Sequence, residues 1–197
     1  GEGKANQFFL RGFNLDHGSD IAISVDGMPV NMPTHGHGQG YTDINFLIPE
    51  MIDEVYYRKG PYYAGVGDFS GAGSADIRTR TRAQRQRLKL TAGGDDYYRA
   101  LLYGGTEVGH GDLAYALESQ TYNGPWEDIS EDVEKYNGLL RYGWNSGDTR
   151  YTTTVMAYNN RWNSADQIPR RAVRSGLIDE LGSLDQDAGG ESERYSL

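Results

Sequence analysis

The sequence predicts a mostly-β fold in two parts: short, glycine-punctuated strands over the first 82 residues, then a regular series of longer antiparallel strands. Three observations predict it. The 197 residues include 27 glycines and 15 tyrosines, a glycine share roughly twice the usual one. Apolar and polar residues alternate with a period of two in the stretches beyond residue 87. The connections between those stretches alternate between tight polar turns and long polar loops.

In the first part, the apolar runs at 21–25, 44–48 and 55–57 read as short strands and one helical turn. Asp26-Gly27 is a turn pair, in which glycine supplies a positive φ and Pro29 fixes the backbone after it. Gly60-Pro61 ends a strand, and the glycines between 65 and 73 permit close backbone approach. The polar, basic stretch 79–87 reads as a connector, which divides the chain into domains 1–82 and 83–197.

Beyond the connector, strands are expected over 87–92, 97–107, 112–122, 136–145 and 149–162, with a sixth beginning near Glu193. Gly109-His110-Gly111-Asp112 and Asn145-Ser146-Gly147-Asp148 are tight turns, Gly93-Gly94-Asp95-Asp96 is a short connection, and 123–135 and 163–192 are long loops. Short turns on one side and longer loops on the other are the habit of outer-membrane barrels. Tyr136, Gly138, Leu140, Tyr142 and Trp144 share one parity, against Asn137, Leu139, Arg141, Gly143 and Asn145 on the other. Eight residues of strand span about 26 Å, or about 20 Å along a membrane normal after tilting, so Tyr136 and Trp144 are spaced like two interfacial girdles. A soluble antiparallel sandwich with half-buried strands carries the same alternation, and the pattern leaves both architectures open.

Composition narrows the function. Nineteen basic against 28 acidic residues give a net charge of −9, with a pI near 4.9, so no overall positive field would draw in a phosphate backbone and no nucleic-acid partner is expected. Without cysteine there is no disulfide, thiolate zinc site or thiol nucleophile. No apolar run is long enough for a transmembrane helix, and the mean hydropathy is −0.69, values equally compatible with a β-barrel whose strands never build a hydropathy peak.

Few residues carry chemistry. Thr34-His35-Gly36-His37-Gly38-Gln39-Gly40 places two histidines at i and i+2 on a glycine-rich loop, able to ligate a metal or bond a polar ligand. A metal would need further ligands, His17 is the one nearby candidate, and no metal site is assigned. The acidic run 127–132 offers oxygen ligands without the spacing of a calcium loop and reads as a solvated outer loop. Trp126 beside it is a candidate for stacking on a sugar or an aromatic ligand. No G-x-S-x-G, H-E-x-x-H or phosphate-loop string occurs, so neither an enzyme nor a cofactor is expected.

An ordered series in the first part carries a family resemblance. Arg11-Gly12-Phe13 is followed by Val25-Asp26-Gly27-Met28-Pro29, by Glu54-Val55 and Arg58-Lys59-Gly60-Pro61, and by the small residues 71–76. In this order and spacing the chain resembles the plug domain of TonB-dependent outer-membrane receptors. The resemblance implies a partial plug domain followed by antiparallel strands of an incomplete transmembrane β-barrel, with five strands and the start of a sixth. It implies a fragment of a receptor in the outer membrane of a Gram-negative cell, in contact with outer-membrane lipid. Its function would be energy-coupled uptake of a siderophore, cobalamin, metal chelate or oligosaccharide. The TonB complex would engage through a segment absent from this chain. Because the loop after the Val-Asp-Gly turn lies at the outward apex of such plugs, the resemblance makes His35, His37 and Gln39 candidates for contact with the small-molecule or chelate ligand. The competing reading is a soluble, secreted β-rich carbohydrate-binding or adhesion domain, which would cover the Tyr136–Trp144 face with a second sheet.

Overall fold

Asp26 and Gly27 take positive φ values of 50° and 84° and turn the chain sharply between β3 (Ile21–Val25) and β4 (Met28–Pro29), the conformation an Asp-Gly hairpin turn demands. The computed structural model describes residues 6–81 and 85–197 and divides the chain into two compact units, one ending at Arg80 and the other Thr81–Leu197.

The first unit begins with the small hairpin β1 (Phe9–Leu10) and β2 (Phe13–Asn14). A 3₁₀ turn, Pro49–Met51, leads into β5 (Ile52–Lys59), and β6 (Gly73–Thr79) completes a four-stranded sheet in the order β4-β3-β6-β5. The central pair, β3 and β6, runs parallel; the outer pairs are antiparallel. Ile23, Val25, Val30, Phe46, Leu47, Ile48, Met51 and Ile77 are buried in its core. The run 44–48 is therefore apolar because it is buried, and it is an irregular segment closed by a bond from the Leu47 amide to the Ile44 carbonyl rather than a strand.

The Asp26 carboxylate accepts hydrogen bonds from the Thr79 amide and hydroxyl, at 2.9 and 2.6 Å. That clamp keeps Thr79 buried inside β6, so regular structure extends into the stretch the sequence assigns to a connector; residues 82–84 of that connector lie outside the described residues. Gly73 starts β6 where a Cβ would stand 2.2 Å from the Arg58 carbonyl oxygen, a close approach only glycine permits.

The second unit is a meander of β7 (Arg87–Ala92), β8 (Tyr98–Val108), β9 (Gly111–Tyr122), β10 (Val133–Ser146), β11 (Thr149–Asn163) and β12 (Gly189–Ser196), paired antiparallel in the order β12-β11-β10-β9-β8-β7. The strand centres agree with the alternation in the sequence, while β10 begins three residues earlier and β12 four residues earlier than it suggests. Gly109 and Gly147 carry positive φ in the two tight turns. A short helix, α1 (Arg170–Arg174), interrupts the last long loop, which the sequence reads as irregular throughout. The two long loops bond to one another: the Glu127 amide reaches the Leu181 carbonyl, the Asn163 amide the Glu131 carbonyl, and the Ser183 amide the Asp128 carboxylate. Ile129, Ala172 and Ile178 are buried among these loops, so the acidic run is partly structural instead of wholly solvated.

Register sorts the residues of the sheet into two faces, because cross-strand partners share a side. Leu88, Leu102, Leu117, Gly138, Ala157 and Tyr195 form one continuous row across all six strands. Tyr136 and Leu140 on the same face are 53 % and 48 % exposed. This apolar band ends towards the tight turns in a stack of Tyr142, Trp144 and Tyr151, and towards the long loops in Tyr98 and Tyr136, beyond which the Glu134–Arg161 ion pair begins. The opposite face is polar and largely buried. There Arg99, Gln120, Lys135, Asn160 and Ser192 make one row, and Lys89, Leu101, Glu118, Asn137, Tyr158 and Arg194 the next.

At the middle of the polar face, the Glu118 side chain, 1 % exposed, lies 2.6 Å from Arg99 and 3.3 Å from Lys135. Glu118→Gln leaves two largely buried cations without their anion and should lower the stability of the intact protein by about 3–5 kcal/mol, read as earlier unfolding in detergent. Gly73→Ala should push the start of β6 off the Arg58 carbonyl and open the Lys59–Gly73 pairing, seen as faster amide exchange across β5 and β6 with the β7–β12 sheet unchanged.

Candidate functional site

The loop carrying the two histidines is pinched at its neck by an antiparallel bridge: the Met32 amide bonds the Tyr41 carbonyl and the Gly40 amide the Met32 carbonyl, each at 2.8 Å. Asn31, just outside the neck, holds the loop to the rest of the unit. Its side-chain oxygen accepts from the Ile23 amide at 2.7 Å, and its NH₂ lies 3.0, 2.9 and 3.0 Å from the carbonyl oxygens of Gly18, Ile21 and Gly40. With two hydrogens facing three carbonyls, one bond is shared, and every polar atom of the amide is used.

The same anchoring brings residues 16–18 beside the loop. The Thr42 amide bonds the His17 carbonyl at 2.7 Å, and Gly18 (φ 114°) packs so tightly on Thr42 that a Cβ would fall 2.5 Å from its hydroxyl. Asp16 has a left-handed backbone (φ 53°), tolerated in aspartate, and its amide bonds the Asn14 side chain at 2.9 Å. His17 is buried, and its Nδ1 sits 2.8 Å from the Asn6 carbonyl. A carbonyl only accepts, so this contact puts the proton on Nδ1 and turns the other nitrogen, Nε2, towards Asp16 at 3.4 Å.

His37 closes the group. Its ring meets His17 edge to face at 4.3 Å, and its Nε2 lies 3.7 Å from the second carboxylate oxygen of Asp16. His35 stacks flat on Tyr41, with centroids 3.9 Å apart and planes 9° apart, and its Nδ1 accepts the His37 amide at 3.1 Å. Burial, and then the negative charge of Asp43, raise the Tyr41 phenol above its ordinary pKa, so it stays a neutral platform for His35.

The structure thus joins His35 and His37 with His17, and adds Asp16, Tyr41 and Asn31, which the sequence reading did not single out. The adjacency of Asp16 to His17 was the available signal. Gln39 is an exposed residue of the same loop. Trp126 belongs to the other unit, half-buried, where its indole N–H donates to Glu131 at 2.8 Å. A second hollow in the first unit, about 1050 Å³, is lined by Ser24, Tyr57, Arg58, Val66, Phe69 and Asp76. Of its two carboxylates, Asp68 and Asp76, the latter bonds Ser24 and Arg78 at 2.8 and 3.0 Å, which ties that wall to the sheet.

Residues 1–74 match the model of the TonB-dependent Receptor Plug Domain family. Over that stretch the chain is similar to a TonB-dependent receptor plug domain. Solved structures extend the likeness to the sheet that follows. The siderophore receptor PiuA from Acinetobacter baumannii matches 97 % of this chain at 16 % identity, with a TM-score of 0.68. The copper transporter OprC matches 78 % at 19 % identity and 0.61, and the siderophore receptor PirA from Acinetobacter baumannii 76 % at 14 % and 0.54. The chain spans about a quarter of the length of each, 25–27 %. No curated protein matches it. The fold is therefore that of a plug domain with part of a receptor barrel, its six-stranded sheet edged by β7 and β12.

Asn31→Asp should place a carboxylate against three carbonyl oxygens. Amide exchange over residues 32–42 should accelerate by at least about tenfold, since a mispaired buried polar group costs about 1–3 kcal/mol, while Asn31→Ala should give a smaller effect.

Proposed function

We propose that this chain is the plug and first barrel strands of an outer-membrane receptor for energy-coupled uptake of a scarce, metal-bearing small molecule or chelate. The observation that carries the reading is the exposed apolar band of the six-stranded sheet, bounded by Tyr98 and Tyr136 at one end and by Tyr142, Trp144 and Tyr151 at the other. Lipid satisfies such a face, and a closed set of strands satisfies the backbone. The polar opposite face, with Arg99, Glu118 and Lys135, suits the interior side of a barrel wall. A soluble sandwich would bury Tyr136 and Leu140 and expose Glu118, the reverse of what the structure has.

The ligand would meet His35, His37 and Gln39 on the loop of the first unit; Trp126, in the other unit, is a separate candidate for stacking on a ligand. The histidine edges supply polar donors and acceptors, and the His35–Tyr41 stack supplies a flat apolar surface. Two of the structures that this chain resembles are siderophore receptors and one is a copper transporter, which supports metal-bearing cargo over sugars. Energy would come from the TonB complex acting on the receptor.

Fractionated cells probed with antibody against this chain, with and without boiling, test the reading. A heat-modifiable band in the outer membrane, several times larger than 21.9 kDa, is the expected result. A soluble band near 21.9 kDa would overturn it.

A further inference from the structure

We propose that Asp16, His17 and His37 form a coordination site for a single divalent transition-metal cation. The inference rests on the geometry of the first unit alone and holds whether or not the receptor reading does. One ligand atom from each residue lies within 4.8 Å of the others. His17 Nε2 lies 3.4 Å from one carboxylate oxygen of Asp16 and His37 Nε2 3.7 Å from the other, so both imidazoles reach the carboxylate at about the 3.4 Å that bonds of about 2.1 Å set between ligand atoms of a tetrahedral ion.

A second observation points the same way. His17 spends its Nδ1 proton on the Asn6 carbonyl at 2.8 Å, and the ring is buried, so its orientation is set and its Nε2 lone pair is aimed at Asp16 and His37. Metal-binding histidines are held in this way, one ring nitrogen donating to a backbone carbonyl while the other ligates. In that tautomer His17 Nε2 turns a lone pair towards the Asp16 carboxylate, and a cation between them satisfies both. The left-handed backbone of Asp16 and the Asn14–Asp16 turn hold the carboxylate between the two imidazoles.

Two imidazoles and one carboxylate favour borderline ions such as Zn²⁺, Cu²⁺ or Ni²⁺ over Mg²⁺ or Ca²⁺, which require more oxygen ligands. Asp16 is 63 % exposed and His37 about a third exposed, so the remaining coordination position faces solvent and takes water. The sequence assigns no metal here because Asp16 and His17 stand about twenty residues before His37, and only the Asn31 anchor and the Thr42–His17 bond bring them together.

Calorimetric titration of the intact detergent-solubilised protein with Zn²⁺, with Mg²⁺ as control, tests this. One Zn²⁺ per chain is expected, weakened at least about tenfold in His37→Ala and in Asp16→Asn and unchanged in His110→Ala, which lies in the other unit. Circular dichroism of each variant checks that it is folded, and Co²⁺ loading of the unaltered protein should give the visible absorption of a low-coordinate nitrogen–oxygen site. Absence of stoichiometric zinc binding, or binding that both His37→Ala and Asp16→Asn leave unchanged, would overturn the proposal. Either failure leaves the outer-membrane reading standing, since cell fractionation tests that separately.

Discussion

Asn31 accepts from the Ile23 amide and donates to the carbonyls of Gly18, Ile21 and Gly40, so one side chain joins the β3 strand, the segment before it and the end of the histidine loop. Without that junction the loop would lean on its Met32–Tyr41 neck and the Thr42–His17 bond. With it, His17 and His37 are held against Asp16, and His35 lies flat on Tyr41. A neutral amide suits the position because it presents donors and an acceptor within one planar group, and no other uncharged side chain of that size except glutamine does so. The site is rigid for the same reason that the loop is, which is what binding with little ordering cost requires.

The second unit obeys a different constraint. Each strand must send successive side chains to opposite faces, and antiparallel pairing carries that choice across all six strands. A one-residue slip of β9 against β10 would move Glu118 onto the apolar face and Leu117 onto the polar one, so the register is guarded by every row at once. Glu118 adds specificity, since its two cations come from β8 and β10 and only the observed register places both beside it. The proposed barrel function needs this sorting and nothing finer.

Much of the fold was legible locally. The centres of β7 to β12, the two tight glycine turns and the Asp26-Gly27 hairpin follow from alternation and turn chemistry that act within a few residues. The misreadings have tertiary causes. For residues 44–48 the sequence leaves strand and helical turn open, because their apolar character reflects burial, which periodicity over five residues cannot separate from pairing. Thr79 looks like the start of a connector because the partner that retains it, Asp26, lies 53 residues away. The acidic run looks solvated, yet Asp128 and Glu131 are engaged by Ser183 and Trp126 from other parts of the loops.

By itself the sequence determined which segments are strands, which face of each is apolar, and that a histidine pair sits on a glycine-rich loop. These are properties of short windows, set by side-chain period and by the φ values that glycine and aspartate allow. Only the tertiary structure decided that Asp16 and His17 stand against His37, that His17 Nδ1 meets the Asn6 carbonyl, and that Trp126 bonds Glu131. Those outcomes depend on where distant backbone carbonyls and amides come to rest, and that is fixed by the packing of the whole unit.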